Sequence, residues 1–385
     1  MKKVKNYILA FIVPLLLCLI IFYFKGILFD VENFFVSDLK LQHLAFFGYL
    51  KSILNGVSSL FYSFNAGLGS SMLATMIFYA ISPLNLLLLV VDDIQYAILY
   101  IYICKVSLAG FTMYLYLRNK IKRDSLMIVV FSTCYALCSF VINYFFCVFW
   151  FDVLYLAPLV LYGIDKIFER EKFSLIYIIS LTLAIICNIQ MGFGLCVFSL
   201  IYFMYSFNIR YEIKGDFKKF ISLGLIFAVS SLLVGAISSG FLLAFMGEYS
   251  NISAARSISV METTETSHIG FVLKNLFTVG DFKSDYYNNF EPFIYCGLIV
   301  TFYSLLYLFS SRIDKKKRYH AFFVILIFVI SFSIRFLNLA WHLSSPILLN
   351  YRYSIYLGLF LTMLACECYF SYDKFKKNDI IVLDR

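Results

Sequence analysis

The chain has 385 residues, of which 62% are hydrophobic and 20% aromatic, whereas only 14% are charged. Soluble domains contain about 45–50% apolar and about 25% charged residues, so this composition excludes a soluble globular enzyme, a disordered protein and a coiled coil. The net charge of +9 comes from short basic clusters between apolar runs, which argues against a nucleic-acid partner. The ten cysteines follow no metal-binding or disulfide spacing. The sequence therefore predicts an all-α polytopic membrane protein.

Ten apolar segments are long enough to cross a bilayer, which takes about 20 mainly apolar residues. They are residues 7–29, 94–117, 125–148, 150–168, 173–190, 192–209, 220–246, 292–310, 319–336 and 353–370. Lysines precede the first segment and no small-residue cleavage motif follows it, so we expect it to stay as an uncleaved span. We interpret residues 1–385 as a single transmembrane domain.

The lysines and arginines predict the orientation of the chain. With a cytoplasmic N-terminus, 23 of the 32 basic residues lie in cytoplasmic segments, including a basic tail at 371–385. Because Lys and Arg favour the cytoplasmic side of a membrane, both termini are predicted to be cytoplasmic. Two long segments, 30–93 and 247–291, then face the exterior, and any chemistry is expected there.

One apolar run, 72–91, does not fit this count, since a full crossing there would invert every later loop. Ser82-Pro83 interrupts the run, and a residue before proline resists helical geometry. We interpret it as two short interfacial or re-entrant helices, which membranes tolerate where protein covers the backbone. An eleventh crossing is the alternative.

No nucleotide-binding loop, metalloprotease motif or paired C-x-x-C motif occurs in the sequence. The missing phosphate-binding loop argues against an ATP-driven pump. A donor used outside the membrane must then arrive already activated, and a lipid-linked sugar phosphate fits that condition.

Asp38 is the most informative residue, because it follows the first span closely and lies near the membrane surface. A carboxylate there can take a proton from an acceptor hydroxyl, or hold a divalent cation against a phosphate leaving group. His43 follows five residues later, near the same side of a helix. The alternative for Asp38 is a helix cap or a solvated loop acid.

Lys105 lies near the middle of the second span, where a lysine costs about 2.5–3.5 kcal/mol and marks a functional site or a buried pair. It contacts a lipid phosphate in one interpretation, and it pairs with an acid such as Asp152 or Glu367 in the other. Asp152 is predicted at the outer mouth of the fourth span, where it lines the site or caps the helix.

Other polar residues near the exterior ends of the spans suit a sugar or a phosphate. Arg352 and Arg335 depart from the positive-inside pattern, and an arginine fork binds phosphate with two hydrogen bonds; interfacial anchoring is the alternative. Gln190 lies in a predicted tight hairpin, and Asn65 lies beside two glycines that allow close backbone approach. A plain turn explains the hairpin equally well.

Several short stretches occur in an order that resembles a known family, and they extend over nearly the whole chain. They are Ser37-Asp38 with Gln42, residues 60–69, 82–87, Lys105 with 108–114, 150–152 continuing to 158–159, 163–165, 192–193, 275–277, 294–298 and 351–354. In this order they resemble the bacterial YfhO-like membrane proteins, which look like GT-C-type glycosyltransferases. The chain resembles a short member of that family.

The resemblance implies a bacterial plasma-membrane enzyme that moves a sugar from an undecaprenyl phosphate carrier to a cell-envelope polymer such as lipoteichoic acid. Asp38 matches the acid that serves as base or metal holder in GT-C folds. The mechanism implied is inverting transfer, with Arg352 and Lys105 stabilising the departing phosphate. His43, Asp152 and Gln190 are further candidates for substrate contacts. A divalent cation, Mg²⁺ or Mn²⁺, is left open, since only one well-placed carboxylate is evident.

The implied partners are the lipid-linked donor, the polymer acceptor, and separate proteins that load and flip the carrier. Two other functions remain as alternatives. A flippase for lipid-linked saccharides predicts internal repeats or broken helices around a midplane site, and a silent scaffold for envelope synthesis predicts no dependence on Asp38.

Overall fold

The computed structural model describes residues 2–66, 68–213, 215–253, 267, 269–280, 291–342 and 349–372, and almost all of their regular structure is helical. The α-helices are α1 Lys2–Phe24, α2 Leu44–Leu54, α3 Leu73–Tyr79, α4 Ile94–Ile121, α5 Leu126–Ala136, α6 Ser139–Asn143, α7 Phe151–Arg170, α8 Leu175–Cys187, α9 Ile189–Arg210, α10 Phe217–Ser253, α11 Ile269–Lys274, α12 Leu298–Phe309, α13 Lys315–Ser333, α14 Arg335–Leu339 and α15 Ser354–Tyr372. Short 3₁₀ helices lie at Val31–Phe34, Pro83–Leu89 and Val148–Trp150, and a π-helical turn lies at Leu39–His43.

Side-chain caps at their N-termini define where several helices begin. The Asp93 carboxylate accepts hydrogen bonds from the backbone N–H groups of Gln95 and Tyr96 at the start of α4. Asn188 is the single residue between α8 and α9, and its side chain accepts the N–H of Met191. Such caps satisfy backbone donors that the first helical turn leaves unpaired. The predicted tight hairpin at Asn188 is thus observed.

The centre of the bundle is built from α4 and α7, which pack against each other and are joined by two buried ion pairs. Lys105 pairs with Asp152 near one end, and Lys120 pairs with Asp165 near the other. Asp165 also accepts hydrogen bonds from Arg210 and the Tyr202 hydroxyl. Buried charges require partners of this kind, so the two helices are fixed in register. We call the end at which α4 and α7 begin the Asp38 end.

Close helix packing depends on small residues at two contacts. A Cβ added at Gly110 of α4 would lie 2.6 Å from the carbonyl oxygen of Ala10 in α1. A Cβ added at Gly163 of α7 would lie 2.6 Å from the Cα of Tyr177 in α8. Both distances are too short for real carbon contacts, so glycine permits these backbones to approach.

Seven helical segments of the described residues are long and apolar enough to cross a membrane, which confirms a polytopic membrane protein. They are Lys5–Phe24, Ile94–Ile121, Leu126–Asn143, Val148–Arg170, Ile189–Arg210, Phe217–Gly247 and Ser354–Tyr372. Helices α8 and α12 are apolar but shorter, with 13 and 12 residues. Every predicted span therefore contains a helix, while the total of ten crossings stays a prediction.

The predicted span 125–148 corresponds to the helical segment Leu126–Asn143, which contains a break. Helix α5 ends at Ala136 and α6 begins at Ser139, because the Ser139 N–H donates to the Tyr295 carbonyl at 2.8 Å instead of continuing the helical ladder. Two other predicted boundaries also shift. Helix α1 ends at Phe24 rather than at residue 29, and α10 continues past residue 246 to Ser253.

The predicted exterior segment 30–93 contains short helices, as expected, and one hairpin that the sequence did not predict. The run 72–91 forms two short helices, α3 and the 3₁₀ helix Pro83–Leu89, separated at Ser82. The unpredicted element is an antiparallel pair of two-residue strands, Tyr62–Ser63 and Ser70–Ser71. Most of the second long segment, 247–291, and the tail from 373 onward lie outside the described residues.

Candidate functional site

Asp38 lies at the start of the π-helical turn that leads into α2. The preceding Ser37 has a φ of 52°, an uncommon left-handed conformation for a residue other than glycine. The Asp38 side chain is half-buried and makes no capping hydrogen bond to the turn. Strained backbone and π-turns both occur often at functional sites. Helix capping therefore does not account for Asp38, and its local geometry suits a functional carboxylate.

His43 fixes this turn to the segment that connects α6 and α7. Its Nδ1 lies 3.1 Å from the carbonyl oxygen of Phe146, and its ring meets the Phe149 ring edge-on at 4.8 Å. Burial lowers the pKa of His43 to about 4, although the contact with Phe146 opposes that shift. The side chain is therefore neutral at pH 7. Its packing holds Asp38 in place through the turn, and a direct contact with sugar or acceptor stays a prediction.

Arg352 is buried in the turn that precedes α15, with only 8% of its surface exposed. Its Nη1 donates to the Oε1 of Gln190, and its Nε donates to the Leu349 carbonyl at 3.3 Å. Its guanidinium carbon lies 5.1 Å from the ring centroid of Trp150. Two residues that the sequence named separately, Arg352 and Gln190, are thus in direct contact. Simple interfacial anchoring does not explain an arginine held in this way.

Residues 146–150 contact both the turn after Asp38 and Arg352, because His43 contacts Phe146 and Phe149 and Arg352 lies against Trp150. Burial raises the pKa of the Cys147 thiol well above its usual value; the charge of Asp38 raises it further and that of Arg352 lowers it. The charges of Asp38 and Arg352 therefore both lie within electrostatic range of this thiol. The turn after Asp38 and the turn before α15, more than 300 positions apart in the chain, therefore contact the same segment. No pattern in the sequence identifies Cys147 as functional, since a single cysteine has no characteristic spacing to other residues.

His342 adds a neutral side chain beside Arg352. Its Nε2 lies 3.0 Å from the Asn350 carbonyl oxygen. Burial lowers the pKa of His342 to about 3, and the nearby charge of Arg352 lowers it as well. His342 is therefore uncharged at neutral pH, and the positive charge beside it is that of the Arg352 guanidinium.

Two buried polar atoms near Arg352 have no hydrogen-bond partner among the described residues. They are the indole N–H of Trp150 and the side-chain oxygen Oδ1 of Asn350. Buried polar groups are rarely left unsatisfied, and each exception calls for an explanation such as water or a ligand. An unpartnered donor thus lies on the ring that contacts the guanidinium, and an unpartnered acceptor lies two residues before Arg352 in the chain.

Lys105 and Asp152 form a buried cluster of polar groups that bond to each other and to neighbouring residues. Lys105 Nζ lies 2.6 Å from Asp152 Oδ2 and donates to the Val148 carbonyl at 3.1 Å. Asp152 Oδ1 accepts hydrogen bonds from Ser82 at 2.6 Å and from Tyr155 at 2.9 Å. Of the two interpretations of Lys105, this arrangement is the buried pair.

The remaining candidates lie apart from this group or have no described contact with it. Asn65 is exposed in the turn of the small hairpin, where its backbone N–H donates to Ser63 Oγ. Glu367 accepts a hydrogen bond from Tyr307. Within the described part of the chain, no three His, Cys, Asp or Glu side chains come together as a metal site.

Comparison with known families gives one clear match. The family described as bacterial membrane protein YfhO matches residues 10–383 of the 385-residue chain. The chain belongs to the YfhO family. No curated protein and no solved structure matches it.

The YfhO match covers both the first-span region and the turn before α15, so it includes every residue of the candidate site. In this YfhO-family protein Arg352 contacts Trp150, and the turn after Asp38 contacts the neighbouring Phe146 and Phe149 through His43. The sequence indicated none of these contacts. A membrane protein with a glycosyltransferase-like role is consistent with the family.

Proposed function

We propose that this YfhO-family protein is an inverting, GT-C-type glycosyltransferase. It takes a sugar from an undecaprenyl phosphate carrier and attaches it to a cell-envelope polymer, such as lipoteichoic acid, outside the plasma membrane. The observation that supports the proposal best is that the turn after Asp38 and the Arg352 guanidinium both contact residues 146–150, the turn through His43 and Phe146 and the guanidinium through Trp150. Family membership supports the donor class, and the basic clusters support cytoplasmic termini.

The proposed step needs one base and one group that stabilises negative charge. The acceptor hydroxyl oxygen forms a bond to the anomeric carbon, and its proton passes to the Asp38 carboxylate. The bond between the anomeric carbon and the phosphate oxygen breaks on the opposite face, and its electron pair leaves with the lipid phosphate.

Arg352 stabilises the departing phosphate in this proposal. A preorganised donor that meets developing charge is usually a large contributor to catalysis. Gln190 accepts from one guanidinium nitrogen and so orients the group. The Trp150 indole N–H has no hydrogen-bond partner among the described residues and supplies a second donor for a phosphate oxygen. Asn350 Oδ1 also has no partner among these residues, and it can accept a hydrogen bond from a sugar hydroxyl.

Lys105 and Asp152 serve as positioning residues in the proposal. Lys105 donates hydrogen bonds to the Val148 carbonyl and to Asp152 in the first turn of α7. Trp150 lies between these two residues in the chain. The pair thereby holds the ring that lies against Arg352.

The test is Asp38→Asn in cells, with Glu32→Gln as the matched control. Glu32 is an exposed acid in the same segment. We expect Asp38→Asn to lower sugar decoration of the polymer at least about 100-fold, as for loss of a general base. Sugar-charged carrier should accumulate on the outer leaflet, while Glu32→Gln leaves both unchanged.

Membrane insertion of both variants is checked by blot. Normal decoration by inserted Asp38→Asn protein would rule out catalysis by this acid. Carrier that accumulates on the inner leaflet instead would indicate a flippase, because the block would then precede transfer.

A further inference from the structure

A cavity of about 330 Å³ lies at the Asp38 end, between α1 and the break that separates α5 from α6. One wall is a single face of α1 and of the turn that follows it, formed by Cys18, Ile21 and Phe22 with Lys25. These residues follow the i, i+3, i+4, i+7 spacing of one helical face and extend for about 10 Å along the axis. The cavity is therefore an elongated cleft parallel to the helix.

The cleft opens sideways, toward the surface that the bilayer covers. Ile21 on α1 and Ile142 on α6 form its two edges, and they are 48% and 50% exposed. Its interior is apolar and includes Leu137 and Val141. An apolar cleft with exposed apolar edges on a membrane-spanning helix is filled from the membrane and not from water.

A positively charged residue, Lys25, lies at the opening of the cleft. Lys25 is exposed, and no described acid lies within ion-pair distance of it. Asn33 lines the cavity beside it and supplies an amide. A lysine near a membrane surface attracts anionic lipid headgroups. Charge at the mouth and apolar surface inside together match a lipid with a negative headgroup and a hydrocarbon chain.

Asp38, Arg352 and Gln190 do not line the cleft. A lipid whose headgroup is at Lys25 therefore lies beside the candidate site and not within it. We infer that the cleft binds one acyl chain of an anionic phospholipid, with the phosphate held by Lys25 and Asn33. The lipid fills the gap left by the break between α5 and α6 and supports the packing of α1 there. This site is distinct from the proposed sugar transfer.

The experiment measures phosphatidylglycerol and phosphatidylcholine bound to the delipidated full chain by native mass spectrometry. Lys25→Gln removes the cation, and Lys40→Gln is its control, because Lys40 is an exposed lysine in the same segment that does not line the cleft. Ile142→Trp fills the mouth, and Ile20→Trp is its control on an exposed position of α1 outside the lining.

We expect wild type to retain phosphatidylglycerol over phosphatidylcholine. Lys25→Gln and Ile142→Trp should each weaken phosphatidylglycerol binding about fivefold, in line with the attraction of one basic residue, and the two controls should not. Equal binding by Lys25→Gln and Lys40→Gln overturns the inference, as does equal retention of both lipids. Displacement of phosphatidylglycerol by an equimolar polyprenyl phosphate also overturns it and assigns the cleft to the carrier chain.

Discussion

The guanidinium of Arg352 lies against the face of Trp150, with its central carbon 5.1 Å from the ring centroid. An aromatic face attracts a cation by about 0.5–2 kcal/mol, more when both groups are buried. Trp150 is itself held at the start of α7, directly before Phe151. The position of the Arg352 guanidinium thus depends on the helix that carries Asp152.

Removal of this aromatic support should impair transfer without unfolding the protein. We expect Trp150→Leu to reduce sugar transfer about tenfold, because Arg352 loses the ring that orients it. Trp150→Phe keeps an aromatic face but lacks the indole N–H, so it should recover only part of the activity. Decoration of the envelope polymer by matched amounts of inserted protein provides the measurement. Equal activity of all three proteins would contradict an orienting role for the ring.

The Lys105–Asp152 pair predicts an asymmetric pattern of stability. Lys105→Met leaves a buried carboxylate without its cation and should destabilise the protein by about 3–5 kcal/mol. The double variant Lys105→Met/Asp152→Asn removes both charges while an amide oxygen still accepts from Ser82 and Tyr155. It should therefore regain most of the loss. Thermal unfolding of the detergent-purified proteins tests this, and a double variant as unstable as the single one would contradict it.

The buried histidines predict how stability depends on pH. The pKa values of His43 and His342, about 4 and about 3, lie below the unfolded value of about 6.5. The unfolded chain therefore binds protons first, so stability that is complete above pH 6.5 is lost as the pH falls toward 4. Each histidine contributes about 1.4 kcal/mol per pH unit in that window.

We expect the Tm of purified wild type to fall between pH 7 and pH 5. His43→Gln should reduce this slope, whereas His320→Gln, at a partly exposed position, should change it less. The slope is compared and not the absolute Tm, because the His43 ring also packs against Phe149. A slope that His43→Gln leaves as steep as in wild type would contradict the assignment.

The contact between α7 and α8 predicts that two glycines respond differently to the same change. Gly163→Ala places a methyl group against the Tyr177 backbone and should destabilise by about 1–3 kcal/mol. Gly235→Ala, in the middle of α10, meets nothing within 4 Å and should be neutral or stabilising by up to about 1 kcal/mol. Thermal unfolding of both variants distinguishes them. Equal effects would show that α7 and α8 are not this close.

Hydropathy and charge predicted the class of the protein and the helical content of every span, because a bilayer requires long apolar helices. They did not predict the break between α5 and α6. That break depends on a backbone hydrogen bond from Ser139 to Tyr295, and local sequence contains no sign of a partner so distant. The two-residue strands at Tyr62–Ser63 and Ser70–Ser71 were missed because they are too short for a periodic pattern.

For the candidate site, residue type identified the members but not their contacts. Lys105 is identifiable from the sequence because a lysine in a membrane span is rare. Its pairing with Asp152 rather than with Glu367 depends on how the helices pack. Arg352 and Gln190 were named for separate reasons, and only the fold shows that they touch. Trp150 was named only as part of a stretch that resembles the family, and Cys147 had no signal of its own, since an apolar residue in an apolar chain does not stand out.

The two ion pairs between α4 and α7 also constrain how the protein is synthesised. Lys105 precedes Asp152 by 47 residues, and Lys120 precedes Asp165 by 45. During synthesis α4 is therefore completed while its acidic partners have yet to be made, and a lysine alone at mid-bilayer is costly. We expect α4 to remain next to the insertion machinery until α7 arrives, so that the two helices enter the lipid together. The remaining helices then assemble around a pair that is already neutral.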